Sequence, residues 1–296
     1  MLLLITFTLA VSAKENITII YGFSAADNSA NYARTLADEA NKIQDKYNFI
    51  FDVKSGGGQA VAVNYIKNTP NTIFMTSGAF WLRPNLYPHE SWDVHDFRTL
   101  WTQCSAPFAV ASVKYKSWKE VPTDRPMSIA TSGLGVISHL VALDIQKKFP
   151  QLTIIPFKST TDALISTAGG QVDFAVVFLG DIGTWANENN KIKLTILGTT
   201  GPKYIGNYPN LSSQGFSPNL AKMNTPYNLM IPSAFNQEKA KEIRDILVKV
   251  ENAKSIQNSY APDYCQPYHI SEDKLDSWFE EQNKYWTKMS IGVKVE

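Results

Sequence analysis

The chain has 296 residues, 44% of them hydrophobic and 19% charged, enough to bury the cores of two domains of ordinary size. Its 28 basic and 27 acidic side chains nearly cancel, which excludes the broad basic face that nucleic-acid binding needs. Four histidines and two cysteines leave little for a metal; His89 and His95 flank the loop HESWDVH with no matching thiolates and read as ordinary loop residues.

The N-terminal run MLLLITFTLAVSA is too short to span a bilayer, which takes roughly 20 residues. It suits the apolar region of a signal peptide, with a small-x-small cleavage site at Val11-Ser12-Ala13 but no Lys or Arg ahead of it. The reading predicts export to the periplasm and a mature chain from Lys14. The plainer alternative is a first core strand, a part that Ile17–Phe23 already fills. No later segment is long and apolar enough to cross a membrane. In an oxidising compartment Cys104 and Cys265 are able to pair, but the sequence leaves their proximity open.

Strands and helices then alternate, the pattern of an α/β protein with mostly parallel sheets. Ile17–Phe23 is a strand. A helix over Asn28–Tyr47 sets Ala33, Leu36, Ala37, Ala40 and Ile43 on one face, with Asp27, Asn28 and Ser29 as candidate caps. Asn48–Val53 is a strand, Ala60–Asn68 a helix and Thr72–Thr76 a strand. Phe97–Val113 is apolar and extended and leaves the first domain. A second unit follows: strand MSIAT, helix Leu134–Phe149, strand Leu152–Phe157, helix Thr161–Ala168, strand Asp173–Val177 and strand Lys193–Leu197. Thr225–Pro232 is a return crossing, and helices over Gln237–Glu251 and Glu272–Lys288 pack back on the first domain. Two lobes joined by two crossings make a hinged clamshell, with lobe 1 formed by 14–106 and 228–296 and lobe 2 by 107–227. Ligand belongs at the strand carboxyl ends, in the cleft between the lobes.

Four strand-to-helix turns carry the candidate site. They are Phe23-Ser24-Ala25-Ala26-Asp27, then Ser55-Gly56-Gly57, Thr131-Ser132-Gly133-Leu134-Gly135 and Ser159-Thr160-Thr161-Asp162. Turns of this kind aim backbone N–H groups and a positive helix end at whatever sits before them, so they seat anions. Glycine lets backbone approach closely, and Thr131, Ser132, Thr160 and Thr161 add hydroxyls. Each also has a plainer reading as a tight, N-capped turn. Ser77-Gly78 is a further wall of the cleft; Phe23, Trp81 and Phe178 follow strands where an aromatic ring shields a ligand, although core packing is the default for most aromatics. Lys158 reads as an exposed lysine and His139 as a helix-packing histidine.

In this order the segments resemble the periplasmic solute receptors of tripartite tricarboxylate transporters, the Bug receptors, from about Ile17 to Trp286. The carriers are GFSAADNSANYARTLA, SGGGQAVAVNYIKNTPNTIFMTS, NLYPHESWDVHDFRTLW, SIATSGLGVISHLVALDI and IIPFKSTTDALISTAGGQVDFAVV. The resemblance implies a two-lobed periplasmic-binding-protein clamshell, each lobe a mostly parallel sheet flanked by helices with two crossing strands as hinge. It further implies a small organic acid as ligand, permease subunits as partners and no cofactor; the receptor is expected to act as a monomer. The chain departs from the family pattern where a Gly-Gly is usual, having Ala26-Asp27, and Asp27 is open to three roles: repelling a second carboxylate, accepting from a hydroxyl or amine, or capping the helix.

The rival readings are a receptor of an ABC or TRAP uptake system and an exported hydrolase. The second lacks support: there is no G-x-S-x-G elbow, Walker A loop or H-E-x-x-H, and Ser138-His139 diverge on a helix.

Overall fold

The computed structural model describes residues 13–89, 92–182, 194–201, 204–205, 207–259 and 265–295. The expected signal peptide, except Ala13, and the start of the strand expected at Lys193 lie outside them.

In chain order the elements are β1 (Glu15–Tyr21), α1 (Asn28–Lys42), β2 (Tyr47–Val53), α2 (Ala60–Lys67), β3 (Thr72–Thr76), α3 (Ala79–Leu86) and β4 (Phe97–Ser112). There follow β5 (Met127–Thr131), α4 (Ile137–Lys148), β6 (Leu152–Pro156), α5 (Thr160–Ala168), β7 (Phe174–Phe178), α6 (Leu179–Ile182) and β8 (Thr195–Thr199). After a short ladder of β9 (Tyr204–Ile205) with β10 (Tyr208–Pro209) come β11 (Asn224–Pro232), α7 (Gln237–Val250), α8 (Lys254–Ser259), β12 (Gln266–Pro267) and α9 (Leu275–Ser290).

The main sheet runs β2-β1-β3-β11-β4-β7-β5-β6. β1 is parallel to β2 and β3, and β5 is parallel to β6 and β7, as two βαβ halves require. The sixteen-residue β4 joins them. Its first part pairs with β11 from Phe97 to Pro107, and its second pairs with β7 and β8 from Phe108 to Ser112. β4 and β11 are thus the two antiparallel crossings of a clamshell.

Alternation along the strands sends side chains to two cores. Ile17, Ile19 and Tyr21 pack with α1 and α7, while Ile20 and Phe74 turn to α2 and α3. A third core under α5 joins Ala109, Ala111, Ala130, Leu164 and Val177. The C-terminal helix straps the first lobe: Trp278 and Phe279 meet Trp81 edge-on at 5.7 and 5.6 Å, and Trp286 is fully buried. Burial of each such ring is worth roughly 1.5–3 kcal/mol by area. Trp81, expected at the cleft, therefore belongs to the core.

Three local differences from the sequence reading have physical causes. α1 ends at Lys42, not Tyr47, because the Gln44 side chain accepts from Tyr47 N–H at 2.7 Å and donates to the Ala40 and Tyr47 carbonyls, which turns the chain into β2. α4 begins at Ile137, not Leu134, because Gly133 and Gly135 hold φ of +137° and +68°. α3, absent from the sequence reading, contains Pro84, whose ring leaves the Phe80 carbonyl without its helical donor; the Trp92 indole N–H donates to that carbonyl instead at 3.2 Å. Cys104 and Cys265, left open by the sequence, form a disulfide that ties the segment before α9 to β4, with their Cα atoms 5.4 Å apart.

Candidate binding cleft

The four turns meet in two pairs across the clamshell. The first turn faces the fourth. Asp27 immediately precedes α1 but makes no capping bond to it. Its carboxylate instead reaches into the other lobe: Oδ1 accepts from the Thr161 hydroxyl at 2.7 Å and from Thr161 N–H at 3.3 Å. Oδ2 accepts from Ser24 N–H at 3.2 Å and the Tyr21 hydroxyl at 3.3 Å. Two of these donors, Ser24 and Thr161, are ones the sequence reading assigned to a bound anion, Thr161 at the positive end of α5. The capping bond expected of Asp27 is absent, and the hydroxyls it accepts from are the protein's own, on Thr161 and Tyr21. Asp27 is 3% exposed; burial raises its pKa, and the bonds from Thr161, Ser24 and Tyr21 work against that rise.

Beside it, Asn28 N–H donates to Asp181 Oδ1 at 3.2 Å and the Asn28 amide donates to the Gly180 carbonyl at 2.8 Å. Burial, and then the nearby charge of Asp27, push the Asp181 carboxyl up to about 8. Burial and the Asp27 charge thus both favour the protonated form of Asp181. The Ser29 hydroxyl bonds that of Tyr227 at 2.7 Å, and the Tyr227 ring lies 5.4 Å from Phe178, which stacks on Phe108 at 4.4 Å.

The second turn faces the third. Gly56, Gly57 and Gly58 all have positive φ, and a Cβ on Gly58 would lie 3.0 Å from Arg83 Nη1 and 3.3 Å from Val136 of the other lobe. Arg83 sits between the lobes, 5% exposed; its Nη1 donates to the Leu134 carbonyl at 3.2 Å and its guanidinium covers the Tyr87 ring at 4.1 Å. Residue 135 suits glycine on two counts: its φ is +68°, and a Cβ there would collide with the Tyr87 ring.

In this state the polar groups of the turns engage one another. The Thr131 hydroxyl donates to the Gly133 carbonyl at 3.0 Å, and Ser132 N–H donates to Ser138 Oγ at 3.2 Å. Gly135 N–H donates to His139 Nδ1 at 3.2 Å, which occupies the lone pair of that nitrogen, and burial lowers the His139 pKa. Ser159 caps α5 by accepting from Asp162 N–H at 3.1 Å and donates to the Asp162 carboxylate at 3.0 Å; Thr160 is buried behind it. Ser55, Gly56 and Gly57 stay exposed, as do Ala25 and Ala26; Phe23 is half-buried, its ring 5.8 Å from Tyr21. Gly78 N–H donates to Thr225 Oγ1 at 2.6 Å behind buried Ser77, and a Cβ on Gly78 would collide with Trp286 and Ile137.

Sequence reasoning missed Tyr21, Asn28, Arg83, Asp181 and Tyr227. Two left a signal: Arg83 is the lone charge in AFWLRPNLY and Asp181 the lone charge in FAVVFLGDIG, and a buried charge in an apolar run needs a partner. Among the described residues no group of His, Cys, Asp or Glu is placed to hold a metal ion, and no helix is long and apolar enough to cross a membrane.

No family model and no curated protein matches the sequence. The fold, by contrast, is that of Bug and TctC-type periplasmic solute-binding proteins. A solved periplasmic transporter structure superposes with a TM-score of 0.84 at 17% identity over 97% of this chain and all of the other. The periplasmic binding protein BugD gives 0.79 at 18% identity, over 93% of this chain and 96% of its own. Rpa4515 of R. palustris, solved with adipate, gives 0.81 at 16% identity, over 95% and 97%.

Proposed function

We propose that the chain is an exported solute-binding receptor. It captures a small organic carboxylate between its lobes and delivers it to the membrane subunits of a tripartite tricarboxylate-type transporter. Lobe 1 comprises 14–106 with 228–296, and lobe 2 comprises 107–227. The protein works as a monomer in the periplasm, without catalysis and without a cofactor.

The observation that carries this reading is the apposition of the four strand-to-helix turns in two pairs, joined by Asp27–Thr161 on one side and Arg83–Leu134 on the other. Bonds that span both lobes exist only in the closed state, so a ligand that adds to them shifts the population toward closure. The turns Phe23–Asp27, Ser55–Gly57, Thr131–Gly135 and Ser159–Asp162, with Ser77 and Phe178, line the path such a ligand takes. Likeness in fold to a protein solved with adipate, and to MatC from Rhodopseudomonas palustris with bound malate (TM-score 0.79, 13% identity, 93% of this chain and 99% of that one), favours an organic acid.

A thermal-shift screen of the purified protein against organic acids, amines and sugars tests the reading. A ligand present at 100 times its Kd adds roughly 2.7 kcal/mol to the folded state. The expected result is a rise in Tm confined to carboxylates. A rise only with amines or sugars, or none at all, would refute it.

A further inference from the structure

At the carboxyl ends of β1 and β3, a group of buried amides is left over from the bonding above. Gln59 is fully buried and has a φ of +83°, a left-handed backbone that disfavours any side chain but glycine's. Its Oε1 accepts from Thr76 Oγ1 at 2.7 Å, while Nε2 has no partner among the described residues. The first turn is cut back to make room for it: a Cβ on Gly22 would lie 2.8 Å from Gln59 Cγ. Across the ladder, Asn228 of β11 stands opposite Thr76, is 1% exposed, and has a partner among the described residues for neither Nδ2 nor Oδ1. Directly opposed residues of antiparallel strands bring their Cβ atoms to about 4.5–5.5 Å on one face of the sheet, so Asn228 lies on the same face as Thr76, which bonds the Gln59 amide. The neighbouring Tyr227 meets Ser29, and Thr225 receives Gly78 N–H, so this stretch of β11 runs along the base of the cleft.

A buried amide without a partner destabilises a fold, and an apolar side chain of the same shape suits such a place better. Two amides kept there, one on left-handed backbone, point to a group that arrives from outside. We propose that Gln59 and Asn228 form a subsite for a hydroxycarboxylate. The carboxylate accepts from Gln59 Nε2 and Asn228 Nδ2, and the hydroxyl donates to Asn228 Oδ1. This rests on the receptor reading above and narrows its substrate class.

The test is calorimetric titration of the purified protein with paired acids that differ by one hydroxyl, lactate against propionate and malate against succinate. Wild type is expected to prefer the hydroxy acid of at least one pair by tenfold or more. Asn228→Leu keeps the shape without polar atoms; it should hold or raise the ligand-free Tm while losing that preference. Gln59→Glu exchanges the donor for an acceptor and should weaken both members of the pair by tenfold or more. Should Asn228→Leu fail to fold, Asn228→Asp removes the donor in the same outline and is expected to weaken both members of the pair by tenfold or more. Carboxylate binding by wild type without any hydroxyl preference, or a preference that survives in Asn228→Leu, would overturn the subsite and leave the receptor standing. Failure of wild type to bind any carboxylate in the thermal-shift screen would overturn the receptor reading, and the subsite with it.

Discussion

Replacing Asp181 with Asn should abolish a pH dependence of stability that the wild-type protein carries. The Asp181 carboxyl is pushed from the ordinary 3.8 to about 8, by burial first and by the charge of Asp27 second. With the folded pKa above the unfolded one, the folded protein holds a proton that the unfolded chain has already released. Stability from this group is therefore fully present below about pH 4 and falls as pH rises toward 8. The slope within that window is about 1.4 kcal/mol per pH unit, and the whole window is worth on the order of 5 kcal/mol. Asn preserves the outline and still offers Oδ1 to Asn28 N–H, so the substitution removes the titration and little else. Urea unfolding of both proteins at pH 5, 6, 7 and 8 reads the effect. Between pH 5 and 7 wild type should lose roughly 2–3 kcal/mol more than the variant. Parallel stability curves would mean that Asp181 is ionised in the folded protein, and the reasoning from burial would be wrong.

Thr161→Val removes the 2.7 Å bond to the Asp27 carboxylate and should disfavour closure by about 1–3 kcal/mol; small-angle scattering of the ligand-free protein should show a larger radius of gyration, and an unchanged profile counts against this latch. Thr131→Ala combined with Ser132→Ala should weaken organic-acid binding by on the order of 1–3 kcal/mol, and unaltered affinity in a titration would remove that turn from the site. Cys104→Ser with Cys265→Ser opens a loop spanning a sequence separation of 161 and should cost about 4–5 kcal/mol by chain entropy. A Tm unmoved in the double variant would contradict that estimate.

The local part of the fold was readable, because strand and helix periodicity is a property of neighbouring residues. β3 and β5 fall where TIFMT and MSIAT placed them. α3 was hidden by Pro84, whose freed carbonyl is satisfied by Trp92 from beyond the helix. The four turns were legible for the same reason, since each is one strand running into one helix. Which turn meets which was not: Asp27 and Thr161 are 134 residues apart, and nothing in either segment names the other. For Asp27 the local reading is a helix cap, and the Thr161 hydroxyl that takes its carboxylate instead lies in a segment the local reading does not reach. The disulfide has the same character, since spacing alone cannot bring two cysteines together.

The route of the chain through the sheet also sets an order of assembly. β5 pairs with β6 and β7, and β7 and β8 pair with the second part of β4, all within one continuous stretch. β3, by contrast, waits for β11, and Glu15 finds Lys239 only across 224 residues. Closing loops of that length carries an entropy cost before any contact repays it, so such pairings form late. A chain emerging N-terminus first therefore presents a central lobe beside β1–β3 with the edge of β3 still bare. That edge is a template for pairing with another copy, and β11 removes it only when the chain is nearly complete.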